Sequence, residues 1–463
     1  MRNRLSHWFV FAVIFAIAIR LAPAQDTSND ELVSLIVSLL HESDKDLRSV
    51  AFEQVRSEAP GAAATEKFAA ELPKLKPDAQ VGLLAALASR GDPAARPLVL
   101  ETLNATKDEA VSVASVTALG VLGEASNVPV LVEKLKAEAK PLAAAARASL
   151  VRLPGDQTAP MILTAMDGAA PEVQVALIEI LTERRALGAI PELLTAADGD
   201  DKQVRTAVIK ALGQIAAAEH VAGMVQGVLK AEPGPERDAA EKAVMFVCQR
   251  AQNPEERAAP LLEAIHGLSA ADQLAMLSTL GRVGGDGARK AIEAAIGESA
   301  THTAGIRALC NWPDATIANR LMELSKSDAH PEHRIATLRA LIRVAPLADS
   351  RSDAERLELL KQCLTICTRD EDRLLVLQRA RSIRTVGTLR FVLEHVDEPA
   401  FTETACETIV ELAHHRALRD AHKEEFHTAL DRVIATSKDA TSVERANRYK
   451  NNQTWVRPKT SAN

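Results

Sequence analysis

Metal ligation is the chemistry this sequence invites first. His395, His414, His415, His422 and His427 crowd the C-terminal region, beside Cys406, Glu424 and Glu425. Imidazole and carboxylate together make a ligand set for zinc or copper. The spacing argues against a site on one helix: His415 and His422 are seven apart, His422 and His427 five apart, and neither is the i, i+4 pair that shares a helix face. These residues read as solvated or helix-terminal histidines. Cys363 and Cys367 do lie four apart, on one face of an expected helix. Without a C-x-x-C or C-x-x-C-H pattern anywhere, they read as two small core residues rather than a redox or metal pair. The five cysteines are odd in number and widely spaced, so no disulfide framework is expected. Asp198-Gly199-Asp200-Asp201 superficially suggests a calcium loop. Counted from Asp198, however, position twelve is Ile209, where an EF-hand needs a bidentate acid. Helix capping accounts for these acids. The chain has no P-loop, nucleophile elbow, H-E-x-x-H or dinucleotide-binding glycine pattern. No catalytic residue, cofactor or metal ligand is assigned, and a non-enzymatic role is expected.

The elements that would carry any site repeat along the chain. Pro129, Pro160 and Pro191 are 31 positions apart, as are Leu142, Val173 and Val204, and Leu150, Leu181 and Leu212. Pro97, Val111 and Leu119 extend the three registers backwards by one step, with one residue of slack at the proline. A fixed period of this size marks a solenoid of supersecondary units, each burying its face against its neighbours. Within Leu187–Ala216, Gly188-Ala189-Ile190-Pro191 opens a first helix, since proline is tolerated where the N–H has no intrahelical partner. Ala197-Asp198-Gly199-Asp200-Asp201 makes the turn. Val204, Ala207, Val208, Ala211, Leu212 and Ile215 then form one continuous face at 100° per residue. Aromatics are only 3% of a chain that is 47% apolar, and β-branched alternation is scarce, so the fold class is all-α, helix packed on helix.

These residues resemble HEAT repeats, especially the bacterial variety also found in phycobilisome-lyase-like proteins. Val204-Arg205 with Ala207, Ala211-Leu212-Gly213 and Ile215 look like that family's second helix, and Gly188-Ala189-Ile190-Pro191-Glu192-Leu193-Leu194 like its first. The pattern returns in Ser126–Gly155, Asp92–Gly123 and, more faintly, Thr158–Arg185. Leu280-Gly281, Leu309 and Leu341 continue it, His333-Arg334 with Ala336 resembles the Val-Arg-x-Ala stretch, and Asp46-Leu47-Arg48 with Ala51 suggests an early copy. The resemblance implies an α-solenoid, a superhelix of antiparallel HEAT-like helix pairs, over residues 25–437. About 11 to 13 pairs are expected from a repeat of roughly 30–35 residues. It is clearest over 92–216 and irregular after 345, where Ser352–Val386 makes an oversized unit.

The two ends read differently. Arg2 and Arg4, the apolar run Phe9–Ile19 and Ala22-Pro23-Ala24 form the pattern of a secretory signal peptide over residues 1–24. The apolar run is shorter than the roughly 20 residues needed to span a bilayer. The mature chain is expected to start near Gln25, exported to a periplasmic or extracellular location, with no stable membrane insertion after cleavage. Removing three arginines takes the formal charge from −7 to −10. An acidic surface repels phosphate backbones, which argues against nucleic acid as a partner. Residues 438–463 lose the apolar pattern and read as a flexible polar tail.

A binding surface is sought on the second helices, which the resemblance implies line the concave side. Two and five positions after the Val204 register, the family usually holds polar or small residues. This chain places Val113 and Val116, Val175 and Ile178, then Ile209, with Ala144 and Arg147 interrupting. Neighbouring helices crowd both flanks of such a helix, and cover by them is the favoured expectation. If these five side chains are exposed, they form an apolar strip for a protein partner. The leading functional expectation is an exported, non-catalytic scaffold or adaptor for another protein. The alternative is a lyase-like, cofactor- or metal-handling accessory on the same repeats.

Overall fold

The structure is a computed structural model that describes residues 25–253 and 256–456. The expected export signal, 1–24, lies outside the described residues. The fold is all-α: the described residues form 27 α-helices and no strand. They pair into 13 helical hairpins with one short extra helix, Arg416–Ala421, before the last pair. The chain divides at Ile215 and Ala216 into two compact units, with six pairs in the first and seven in the second. Each unit is an α-solenoid, in which a hairpin packs on the next through its second helix.

The repeat chosen from sequence folds as expected. A 3₁₀ turn at Leu187–Ala189 leads into Ile190–Ala196, and Lys202–Ile215 follows after the acidic turn. Leu119, Leu150, Leu181 and Leu212 are all buried, each a side chain whose removal from water is worth about 1.5–3 kcal/mol. Polar residues set the helix starts. The Asp108 carboxylate accepts from the Val111 N–H at 3.0 Å, and Pro77, Pro171, Pro235 and Pro331 open second helices where no N–H is required.

Arginines bind the repeats at two periodic places. Near the start of the second helix, Arg48, Arg205 and Arg334 donate back to main-chain carbonyls in the turn that follows their own first helix: Glu42 and Ser43, Gly199 and Asp200, and Asp328. At the far end, Arg90, Arg184 and Arg343 reach across to the end of the preceding second helix. Arg184 donates to the carbonyls of Leu150, Val151 and Leu153 at 2.6, 2.8 and 2.9 Å. Arg90 does the same at Val55, Glu58 and Ala59, and Arg343 at Cys310 and Trp312. Helix C-termini leave carbonyls without intrahelical donors and carry partial negative charge, and a guanidinium meets both needs.

Two sequence expectations are corrected. Ser352–Val386 is not an oversized irregular unit, because it contains an ordinary hairpin, Asp353–Ile366 with Asp370–Ala380. Its first helix is long, since Ser352 and Glu355 close a capping box that starts it early. The expected polar tail contains the helix Ala440–Lys450, which packs against Lys423–Thr436. Its single apolar row is sufficient, with Ala446 and Tyr449 buried.

Candidate functional site

An open apolar groove lies on second helices of the first unit. Pro77–Arg90 and Glu109–Leu122 lie side by side. Val81, Leu84, Ala85 and Ala88 of one face Ala110, Val113, Ala114 and Thr117 of the other across a groove of about 660 Å³, which Pro141 of the next second helix also lines. On each helix these residues recur at three- and four-residue steps, so the groove is two turns long. Ala85, Ala88, Ala110, Ala114 and Ala118 are among its lining residues, and such small side chains let an incoming backbone come close.

The same face changes character along the stack. A smaller depression of about 200 Å³ is lined by Arg147, Glu179, Thr182, Glu183, Ala207 and Lys210 among others. Arg147 Nη1 lies 3.0 Å from Glu179 Oε2, and its other nitrogen pairs with Glu183. Arg147 is the residue that interrupts the apolar series in sequence, and here it organises a charged patch spanning successive repeats.

The five residues of the expected strip do not form an exposed row. Val116 and Ile178 are fully buried and Ile209 is 5% exposed, while Val113 and Val175 are half-buried. Positions five residues past the Val204 register enter contacts between second helices: Glu109–Leu122 touches both Pro77–Arg90 and Lys140–Arg152, Pro171–Glu183 touches both Lys140–Arg152 and Lys202–Ile215, and Lys202–Ile215 packs on Pro171–Glu183. Only Val113 reaches the groove.

The C-terminal histidines are not brought together. His395 Nδ1 lies 2.6 Å from Glu398 Oε1, and His414 Nδ1 lies 2.9 Å from the Tyr449 hydroxyl. His422 stands 3.9 Å from Glu425. Burial lowers the pKa of His415, with Arg384 acting in the same direction. Cys363 lies in the last turn of Asp353–Ile366, and Cys367 caps that helix rather than sharing it. Burial pushes their thiols up to about 12 and about 11, and the Cys367 thiol donates to the Cys363 carbonyl at 3.2 Å. Both are buried.

A different cluster forms where sequence reasoning placed none. His302, Asp328 and His333 bring ligand-capable atoms within 4.8 Å of one another, the one such group of three among the described residues. His302 begins the helix His302–Leu309, Asp328 closes Ala318–Ser327, and His333 lies in the first turn of Pro331–Val344. His302 Nε2 is 2.9 Å from Asp328 Oδ2, and His333 Nδ1 is 3.2 Å from Asp328 Oδ1. The His330 N–H also donates to Oδ1 at 2.9 Å, and the His330 and His333 ring centroids are 4.8 Å apart. The Asp328 side chain is 1% exposed. Burial pushes its carboxyl pKa up, but the His330 amide and the two imidazoles outweigh that and hold it below the usual range. The hydrogen bond to the Ile296 carbonyl, aided by Asp328, raises the pKa of His302. The spacing Asp328-x-His330-x-x-His333 is a usable signal for two of the three members of this cluster. His302, 26 residues before Asp328, joins only because successive repeats stack.

Residues 159–245 match a family model described as HEAT repeats, so HEAT-type repeats are present in this stretch. No curated protein matches the sequence at a significant level. Among solved structures, Kap121p bound to Pho4p is similar at 12% identity and a TM-score of 0.46, covering 92% of this chain and 54% of that one. Kap121p bound to the SUMO protease Ulp1p is similar at 13% identity and a TM-score of 0.47, covering 92% and 53%. Kap95p, in a structure describing its binding to RanGDP, is similar at 11% identity and a TM-score of 0.43, covering 93% and 66%. This chain spans about half the length of the Kap121p chains.

Proposed function

We propose that this chain is an exported, non-catalytic scaffold that holds another protein by taking an amphipathic helical segment of that protein into the Val81–Thr117 groove. The observation that carries the reading is the groove itself, formed by two neighbouring helices with apolar or small residues at each helical step. An amphipathic helix presents anchors at i, i+3, i+4 and i+7, the same periodicity as the groove walls. Alanines such as Ala85 and Ala114 offer little side-chain relief, so such a helix could seat its ridge close to both walls. The neighbouring Arg147, Glu179 and Glu183 patch would set orientation more than affinity. Export rests on the basic start, the short apolar run and Ala22-Pro23-Ala24.

The test uses a photo-crosslinking residue placed at Ala85 or Ala110 in the groove, or at Glu101, an exposed position on a first helix, within the native exported fraction. One protein should be captured from both groove positions and not from Glu101, and a second substitution, Thr117→Glu, should abolish capture. Ala85 and Thr117 are both exposed, so stability should change by no more than about 0.5 kcal/mol. Equal capture from all three positions would reject the groove. N-terminal sequencing of the native protein should find a start near Gln25, and a cytoplasmic form retaining Met1 would reject export.

A further inference from the structure

His302 cannot be satisfied as a neutral imidazole. Its Nδ1 lies 2.7 Å from the Ile296 carbonyl oxygen, a group that only accepts, so Nδ1 carries the proton. In the neutral ring Nε2 is then bare, and its lone pair points at a carboxylate oxygen 2.9 Å away. Two acceptors at that distance need either a proton on Nε2, which makes the ring an imidazolium, or a metal ion between them. A second imidazole approaches the other carboxylate oxygen at 3.2 Å.

We propose that His302, Asp328 and His333 bind a divalent transition-metal ion of the zinc class, through His302 Nε2, an Asp328 oxygen and His333 Nδ1. Two imidazoles and a carboxylate form an established ligand set for such ions. Zinc bonds of roughly 2.0–2.1 Å in a tetrahedron put neighbouring ligand atoms about 3.3 Å apart; here His302 Nε2 is 2.9 Å from Asp328 Oδ2, His333 Nδ1 is 3.2 Å from Asp328 Oδ1, and the three ligand atoms lie within 4.8 Å of one another, a spread that small side-chain rotations would close onto one ion. The Ile296 carbonyl fixes the His302 ring in the tautomer that frees Nε2, the usual support for a ligating histidine. The His330 N–H similarly orients Asp328. His330, whose side chain is 56% exposed, stands beside the cluster with its ring centroid 4.8 Å from that of His333. Such an ion would clamp the turns of two successive repeats, because His302 and Asp328 belong to different hairpins.

The experiment takes the full chain without added tag histidines, stripped with chelator, and titrates it with Co²⁺ at neutral pH. One equivalent should bind with the visible d–d bands of a tetrahedral site, and Zn²⁺ should displace it. His302→Gln and His333→Gln should each weaken Co²⁺ binding by about 100-fold or more, with the helical circular dichroism of each variant retained. His302 is the safer variant, being a quarter exposed. His415→Gln should leave binding unchanged. Absence of d–d bands from the wild-type chain would overturn the proposal without reference to any variant, as would uptake equal in wild type and His302→Gln. A loss confined to His415→Gln would overturn it too.

Discussion

Gly281 lies against Ala308 so closely that a Cβ added to Gly281 would sit 1.9 Å from the Ala308 carbonyl oxygen. The two residues belong to second helices of successive repeats, Ala270–Val283 and His302–Leu309. Gly120 meets Ser149 in the same way in the first unit, where an added Cβ would be 2.9 Å from the Ser149 Cα. The glycine following the buried leucine of the repeat is therefore a contact position, where two helix backbones touch.

Gly281→Ala should destabilise the second unit by about 1–3 kcal/mol or more, because the obstructing atom is backbone and cannot turn aside. Gly267→Ala, where an added Cβ meets nothing within 4 Å, should be neutral or slightly stabilising. Urea unfolding of both variants compares them directly. Equal midpoints would refute the close contact.

Arg184→Met should keep the packing of the side-chain stem while removing donors to three carbonyls. Leaving buried carbonyls short of partners costs about 1–3 kcal/mol. Arg184→Lys, a compact charge without the planar fork, should recover only part of that loss. Denaturation of the first unit, followed by a fluorophore placed there, measures both.

The double change Val175→Ser with Ile178→Ser should destabilise by about 2–5 kcal/mol, because Ile178 is fully buried. Val175→Ser alone should cost much less. If the double variant melts with the wild type, the strip is exposed after all and regains its claim as a partner site.

Asp92 sets a pH response in the first unit. Its carboxylate accepts from the Ala94 N–H at 3.0 Å and the Thr65 hydroxyl at 2.7 Å, with Arg90 nearby, and these hold its pKa below the ordinary value. A depressed folded-state value means the stabilisation is complete above the unfolded value of about 3.9 and is lost as pH falls through the lower folded value. Asp92→Asn should therefore lower the urea midpoint at pH 6 and make little difference near pH 2. A variant effect that grows on acidification would contradict this assignment.

The amino-acid sequence by itself determined the repeat, the helix pairs and the buried leucine register. Each is written locally: a proline opening a helix, an acidic turn, and apolar residues at helical offsets whose burial needs only the next hairpin. The model repeat Leu187–Ala216 shows this, since its turn and both helices lie where periodicity puts them. The later pairs were harder to see because the period stretches, yet Leu309 and Leu341 keep their buried place. Tertiary structure decided what one repeat presents to another. Val116, Ile178 and Ile209 look superfluous on a single helix wheel, and they are buried because the second helices of adjacent repeats pack on one another. Tyr449 anchors a helix in a segment whose apolar residues are too few to announce one. His302 meets Asp328 across 26 residues because stacking brings equivalent turns of successive hairpins side by side, a proximity that depends on the repeat rise and leaves no mark in the spacing along either helix.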